Sequence, residues 1–546
     1  MKKLHIFSGA MLVLFTASCS DLDVDVKSRL TEFPDNEIAI EAKTNAALFA
    51  MQSGNVLGRR LDEALSFNSD EYTAVSFDGD YCNGRDCAGF SLHAVDPTAS
   101  KSQLNPYNDI QSGITNCNIV MNDPTFAELG GPEADILAPV RAARAFYTFV
   151  LMDNWGDTPI IDHVLADDEQ LDRSPRADVA KWIESELLAV LDKCPTNVDA
   201  STYGKPTKWM VEALLAKLYI NWNVYTKDVT SASWSSTAPN EKLNDCVAMC
   251  DDIINSGLFN LSDDFKKKFL YNNGPHIKDF IYVVPFDAIT QGGLTYARFR
   301  TWRRGQNNNG FYSVELSGSV AGNYALTPEY VELFTLPGDR RNDCIAGDAT
   351  KDATDIYQYD VTTGEKTSVR NTYKGKEVTF TKSITLKTED GDLNTGADQN
   401  GWCQGYKSIK FMPYVPEVNA HSRNMSNDVP IFRYADVLLM KCEAITRGAT
   451  ATNGDTPMSL FNQIRSYVNA PLIENNPTLQ DILDERGREF LDEHWRRNDL
   501  IRFGDFERDW GFKYLNPNNK ALTNRILPLS VDVLNANTNW KQNAGY

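Results

Sequence analysis

Apolar residues recur along most of this chain at spacings of three and four, the signature of helices with one buried face. The pattern predicts helices over Asn36–Gln52, Pro106–Met121, Pro132–Trp155, Arg176–Cys194, Lys208–Tyr225 and Pro239–Asn255, and again over Val429–Thr446, Pro457–Val468 and Leu479–Arg497. Asp35, following Pro34, is placed to cap the first. The longest carries Ile136, Val140, Ala143, Phe146, Tyr147, Val150 and Leu151 along one side, and Gly156-Asp157-Thr158-Pro159 stops it. Val179, Ile183, Leu187 and Val190 stripe the next. In Lys208–Tyr225 the shared face is Trp209, Ala213, Ala216 and Ile220, whose small members let a neighbour pack close.

Residues 256–430 read differently. They are rich in Gly, Asn, Asp and Thr, with extended pieces such as 280–285 and 378–386. A structureless stretch of that length does not fit inside a compact domain. The expectation is therefore a loop-rich insertion (about 256–428) of loops, short strands and short helices on a helical scaffold (about 36–255 and 429–546). Tandem helices suggest an αα-repeat. Helix starts near Arg176, Lys208 and Pro239 recur once per helix rather than once per pair, and no 34-residue period emerges.

The N-terminus has its own logic. Met1-Lys2-Lys3 is a positive start, Ile6–Phe15 a short apolar run, and Thr16-Ala17-Ser18-Cys19 a small-residue cleavage site ending in cysteine. The apolar run is far shorter than the roughly 20 residues that span a bilayer. Residues 1–18 are thus expected to be a removed lipoprotein signal, with the Cys19 thiol taking the lipid. Residues 19–35 form an acidic tether, Ser20-Asp21-Leu22-Asp23-Val24-Asp25 at its head. It resembles the acidic signals that send some Gram-negative lipoproteins to the outer face of the outer membrane.

Composition narrows the partners. With 42% hydrophobic and 11% aromatic residues the chain supports a large packed core. Removing Lys2 and Lys3 from the 54 basic residues leaves 52 against 74 acidic, a net charge near −22. That field repels phosphate backbones, so no nucleic-acid partner is expected. Ten cysteines less Cys19 leave nine, scattered rather than arranged as a disulfide framework. Cys82 and Cys87 close a short loop and read equally as a disulfide or as two thiols. Cys246 and Cys250 share a helix face without a second pair to complete the four ligands of structural zinc, so they read as small buried hydrophobes. No metal or cofactor is expected.

Four segments carry a family resemblance. They are Arg141-Ala-Ala-Arg-Ala-Phe-Tyr147 running into Asp153-Asn-Trp-Gly-Asp-Thr-Pro-Ile160; Pro430–Leu439 with Glu443-Ala444; Glu485–Gly504; and Leu527-Pro-Leu529 with Asn539–Tyr546. In order and spacing they resemble the SusD/RagB family of outer-membrane nutrient-binding lipoproteins, over nearly the whole mature chain. Ala544 stands where the family usually has proline. The resemblance implies a mainly α fold, a superhelix of TPR-like helical pairs carrying the loop-rich insertion. It further implies capture of an oligosaccharide or polysaccharide for a TonB-dependent, SusC-like outer-membrane transporter. A RagB-like role in peptide capture stays open.

Within the third segment, Leu483, Phe490, Leu491 and Trp495 read as one apolar stripe, and Asp492→Arg496 and Glu493→Arg497 as i,i+4 pairs worth about 0.2–0.5 kcal/mol each. Arg488, Arg497 and Arg502 are candidates to clamp buried carboxylates or helix ends. These motifs read as scaffold.

A secreted all-α glycosidase is the rival reading, since acid pairs such as Asp484/Glu485, Asp492/Glu493 and Asp153/Asp157 abound. No nucleophile elbow or zinc motif accompanies them, and no catalytic residue is assigned. Binding instead demands aromatics among polar loop residues, because sugar rings lay C–H faces on aromatic rings while hydroxyls take hydrogen bonds. Thr295–Tyr312 and Asp70–Tyr81 have that character. Tyr81, Tyr296 and Trp302 are the candidate stacking platforms, with Asp80, Asn83, Arg303 and Asn307 as hydroxyl partners. The same aromatics would also serve to pin the loops to the scaffold. Arg298, Arg300, Arg303 and Arg304 form a basic cluster suited to an acidic sugar, a peptide carboxylate or neighbouring acids.

Overall fold

The computed structural model of the protein describes residues 37–78, 87–295, 312–316, 324–373, 375–396 and 398–546. The chain divides into two units, Met1–Lys43 and Thr44–Tyr546. Of the first, only residues 37–43 are described, and they are helical. All that follows concerns the second.

Helix α1 (Arg60–Phe67) and strand β1 (Tyr72–Ala74) come first. They are followed by α2 (Pro106–Met121), α3 (Ala138–Trp155), α4 (Arg176–Val190), α5 (Lys208–Ile220) and α6 (Leu243–Ser256). Strands β2 (Phe280–Val284), β3 (Tyr324–Leu326) and β4 (Val429–Arg433) lead to α7 (Tyr434–Thr446), α8 (Pro457–Tyr467), α9 (Leu479–Glu489) and α10 (Arg496–Phe503). From α2 to α6 each helix packs on the next. α6 then packs on α7, and α7 on α8 and α9, so the array continues as though the chain between α6 and α7 were absent. This is a mainly helical, TPR-like array.

Local chemistry fixes the helix starts. Thr207 accepts from the Met210 amide at the head of α5, and Thr456 and Thr478 form capping boxes with Ser459 and Asp481. Cys246 and Cys250 are both buried on α6. Among the described residues the named strands pair two by two, all antiparallel. In one pair Val284 faces Val429 and Phe280 faces Arg433, so β2 and β4 bring the start and end of the long middle stretch side by side.

Four expected helices differ. The one expected over Lys208–Tyr225 breaks at Asn221 into Lys208–Ile220 and Trp222–Thr226. The one expected from Pro132 starts at Ala138, after 3-10 turns beginning at Gly131 and Asp135, and Ile136 lies outside it, 46% exposed. The one expected from Val429 is a strand as far as Arg433. Val429 precedes a proline, which disfavours helical backbone, and β2 supplies a ladder. The one expected to run to Arg497 stops at Glu489 and restarts at Arg496, with Asp492 and His494 at φ of 65° and 68°.

That last break has an energetic cause. Asp492 accepts from the Tyr72 hydroxyl at 2.6 Å and the Ser408 hydroxyl at 2.5 Å, and Glu493 pairs with Arg433 at 2.7 Å and Lys410 at 2.5 Å. Arg496 turns to Asp70 at 2.6 Å, and Arg497 to Asn68 and the Asn524 and Arg525 carbonyls. Buried charge-assisted bonds worth about 1.5–3 kcal/mol each displace i,i+4 pairs worth a few tenths. The apolar stripe is broken with the helix, although Leu483, Phe490, Leu491 and Trp495 are all buried.

The clamps expected from arginine are present. Arg502 holds Glu443 through two bonds of 2.9 and 3.0 Å, Arg488 bonds Glu485, and Arg497 bonds carbonyls. At the centre, Arg433 binds Asp279 at 2.6 Å, Glu489 at 2.8 Å and Glu493 at 2.7 Å, all four side chains being buried. Arg433→Met would take the shared cation from three buried carboxylates, leaving Lys268, Arg341 and Lys410 to hold one each, and is expected to cost about 3–5 kcal/mol. Urea denaturation measures it; a loss below about 1 kcal/mol would mean that the cluster is not held by this cation.

Burial alone would raise the buried carboxyls. Lys268 and Arg433 outweigh it at Asp279, and Arg341, Arg488 and Arg465 outweigh it at Glu485, holding both at about 2. Unfolded, these groups titrate near 4. Their contribution is therefore complete above about pH 4 and lost as pH falls towards 2. Thermal melts followed by circular dichroism between pH 6 and 2 should show the melting temperature dropping mainly below pH 4.

Candidate ligand-binding face

Helix α1 gathers described residues from both aromatic-polar regions. At its head, the Gly58 carbonyl accepts from the Thr295 amide at 3.1 Å and hydroxyl at 3.3 Å. A Cβ on Gly58 would lie 2.3 Å from the Gly293 carbonyl oxygen, so the two backbones meet where no side chain fits. Asn424 accepts from the Gly293 amide at 3.0 Å, and the Met425 amide donates to the Leu294 carbonyl at 3.1 Å. Residue 295 is thereby held from two sides.

The same helix reaches the other flanks. Glu63, fully buried, accepts from Arg59 at 2.7 Å, Arg60 at 3.2 Å and Gln103 at 3.1 Å, and Gln103 contacts the Cys87 sulfur at 3.5 Å. Burial works against the Arg59 charge, but Glu63 outweighs it and holds the guanidinium above its ordinary pKa. Phe67 stacks on Tyr324 with centroids 4.4 Å apart. β1 pairs with β3, Ala74 facing Tyr324. Asp78, at φ 51°, takes the Lys387 ammonium at 2.8 Å and exchanges bonds with Asn394 at 3.0 and 3.2 Å. Tyr312 bridges Tyr359, whose carbonyl accepts from Ser313 at 2.8 Å.

These described residues flank 79–86, 296–311 and 317–323. Tyr81, Asp80, Asn83, Tyr296, Trp302, Arg303 and Asn307 lie outside the described residues, as do Cys82, the basic cluster 298–304 and Cys19. The expectation for them is neither changed nor tested by the geometry. What sequence reasoning passed over is the frame beneath: Gly58, Gly293, Asn424 and the Arg59–Glu63 pair. Glycines at 54, 58, 292 and 293 were the available signal, two sets of small residues far apart in the chain that the fold brings to one crossing.

The acid pairs weighed for catalysis have other employment. Glu485 takes Arg341, Arg465 and Arg488, while Asp484 is half-buried and accepts from Gln480. Asp153 accepts from Tyr225 and Asn498, and Asp157 from the Arg176 amide. Among the described residues no three His, Cys, Asp or Glu group as a metal site, and no helix is long and apolar enough to cross a membrane.

Comparison with known proteins now places the chain. The SusD family model matches residues 279–546, which contain β2, β4 and Arg433 with its three carboxylates. The chain belongs to the SusD family. Starch-binding protein SusD of Bacteroides thetaiotaomicron is 24% identical over 75% of this chain and 72% of its own. SusD-like protein P2 of Formosa agariphila is 21% identical over 100% of both. Among solved structures, a laminarin-binding SusD-like protein superposes with a TM-score of 0.68 at 20% identity, over 94% of this chain and all of its own. Surface glycan-binding protein A of Bacteroides uniformis gives 0.66 at 17% identity, over 93% of this chain and all of its own.

Gly58→Ala is expected to push α1 and the 293–295 backbone apart, costing about 1–3 kcal/mol as overpacking does. A melting temperature unchanged from wild type would show that the crossing tolerates a methyl group.

Proposed function

We propose that this protein captures oligosaccharides at the cell surface and passes them to a TonB-dependent, SusC-like transporter in the outer membrane. Cys19 carries the lipid that anchors it there, and residues 20–35 are the tether. The observation that carries this reading is membership of the SusD family together with relatives named as starch-binding and laminarin-binding. The geometry supports it in one respect: Thr295, through Gly58, and Cys87, through Gln103 and Glu63, are tied to one short helix, α1, or to the residues just before it, as binding loops on a rigid base should be. Work is done by equilibrium binding, with Tyr81, Tyr296 and Trp302 under sugar rings and Asp80, Asn83, Arg303 and Asn307 on hydroxyls. The transporter supplies the energised step.

Native affinity electrophoresis of the full chain in mild detergent, through gels carrying different polysaccharides, tests this. Retardation is expected in at least one gel, without loss of polymer, and about tenfold weaker binding for Trp302→Ala or Tyr81→Ala. No retardation in any gel would count against glycan capture and move the assignment to peptides. Shortening of the polymer would move it to a glycosidase.

A further inference from the structure

One buried amide sets two tyrosines against each other. Asn427, fully buried, donates through Nδ2 to the Phe269 carbonyl at 2.9 Å and the Met412 carbonyl at 3.1 Å. Each of those carbonyls lies two residues before a tyrosine, so a single side chain registers both segments at the same offset. Phe269 and Phe411 meet with centroids 5.1 Å apart below. Above, Tyr271 and Tyr414 stack with centroids 4.2 Å apart and planes 14° from parallel. Asn273 secures the Tyr271 side, bonding Asp428 through its backbone amide and carbonyl. Pro413 and Pro416 bracket Tyr414 and restrict the backbone beside it.

The pair is unlike the tyrosines of the core. Tyr72, Tyr225 and Tyr330 are buried, with their hydroxyls bonded to Asp492, Asp153 and Gly487. Tyr271 and Tyr414 are only half-buried, and neither hydroxyl bonds to a described residue. The fold thus holds two half-buried rings face to face, with neither hydroxyl bonded to a described residue.

Their position matters as much as their form. Tyr414 opens the short helix Val415–Ala420. From that helix Asn419 donates to the Glu315 carbonyl at 2.9 Å, and just beyond it Asn424 and Met425 bond Gly293 and Leu294. The segment that presents Tyr414 therefore also holds described residues on either side of 296–311.

We propose that Tyr271 and Tyr414 form an aromatic platform that takes the C–H face of a pyranose ring in a neutral glycan chain. This rests on the glycan-capture reading above. A pyranose presents an apolar face of ring hydrogens and an equatorial rim of hydroxyls; with its inner face spent on the stacked partner, a phenol ring of this pair has its outer face to offer as the matching surface and its hydroxyl as a hydrogen-bonding edge. Because Asn427 and the two prolines fix the rings beforehand, little side-chain freedom is lost when a sugar lands on them. Asn427 is a positioning residue and touches no ligand.

The test uses the full chain in mild detergent, in gels carrying amylopectin or laminarin. Tyr271→Ala and Tyr414→Ala are each expected to weaken retardation about tenfold with the melting temperature lowered by no more than a few degrees, while Tyr271→Phe and Tyr414→Phe, which keep the rings, stay within about threefold of wild type. Nitration of the wild-type protein by tetranitromethane, mapped by mass spectrometry, gives a readout that needs no variant to fold. Modification at 271 and 414 should fall when the retarding polysaccharide is present. Wild-type retardation with unaffected alanine variants, or with no protection at 271 and 414, overturns the platform and leaves glycan capture standing. No retardation of the wild type by any polysaccharide overturns both.

Discussion

A charge removed from water in this protein needs an opposite charge or, as at Arg497, an amide oxygen and carbonyls in its place, and that demand organises the rest of the structure. The Glu485–Gly504 segment is the densest source, with all ten of its charged side chains buried. Glu485, Glu489 and Glu493 face Arg341, Arg433 and Lys410, while Arg486, Arg496 and Arg502 face Asp436, Asp70, Glu443 and Asp499. Taking such ions from water costs several kcal/mol each, which good pairing offsets but rarely exceeds. The return is in uniqueness rather than in stability. Asp70 reaches Arg496 and Asp279 reaches Arg433, so contacts across hundreds of residues have one register in which no charge is stranded.

From that core the constraint passes to the candidate face through α1. Asp62 meets His494 at 2.9 Å, Asn68 accepts from Arg497 at 2.8 Å, and Asp70 takes both Arg496 and Arg508. The helix is thus fixed to the motif by its own buried polar side chains. Its head carries Gly58, Arg59 and Glu63, to which the flanks of the aromatic-polar regions attach. A rigid base of this kind separates two demands. The motif keeps the fold, and the described flanks of the aromatic-polar segments are mounted on it through α1.

Much of this was legible in the residues, and the failures share a cause. Helices α2, α4 and α8 lie where their three-and-four spacing placed them, because each buries one face against a neighbour adjacent in the chain. The misreadings fall where a distant partner decides. β4 is a strand because β2 lies beside it, and 490–495 leaves the helix because Tyr72, Ser408, Lys410 and Arg433 draw Asp492 and Glu493 away. Periodicity carries no information about partners hundreds of residues off. The arginines of the third segment were legible as clamps, since a guanidinium among apolar residues must bind something. Their partners were not. On the candidate face, the aromatic-polar composition pointed to Asp70–Tyr81 and Thr295–Tyr312, whereas the crossing at Gly58 and Gly293 is a property of backbones meeting and has no compositional signature stronger than the glycines themselves.

Perturbed carboxyls in a cleft are the usual mark of acid–base chemistry, and two here invite that question. Burial lifts Asp428 to about 7, against the pull of bonds from the Tyr203 hydroxyl and the Phe286 amide. Glu212 on α5 is likewise lifted to about 7 by burial, with Lys208 3.6 Å away. Both are accounted for by position in the fold. Asp428 stands just before β4, and its two oxygens hold Tyr203 at 2.6 Å and Phe286 at 2.8 Å, the residue two beyond the end of β2. It closes the strand pair that joins the ends of the long middle stretch, and a carboxyl there is the group that can accept from a backbone amide and a phenol at once. Glu212 lies fully buried on a helix packed against α4 and α6. In each case the altered pKa is the consequence of burial in the scaffold. The buried acids of the chain serve the cations and scaffold groups that they hold, and the features suited to a ligand are of another kind: aromatic rings and amides mounted on a base that the ionic core keeps still.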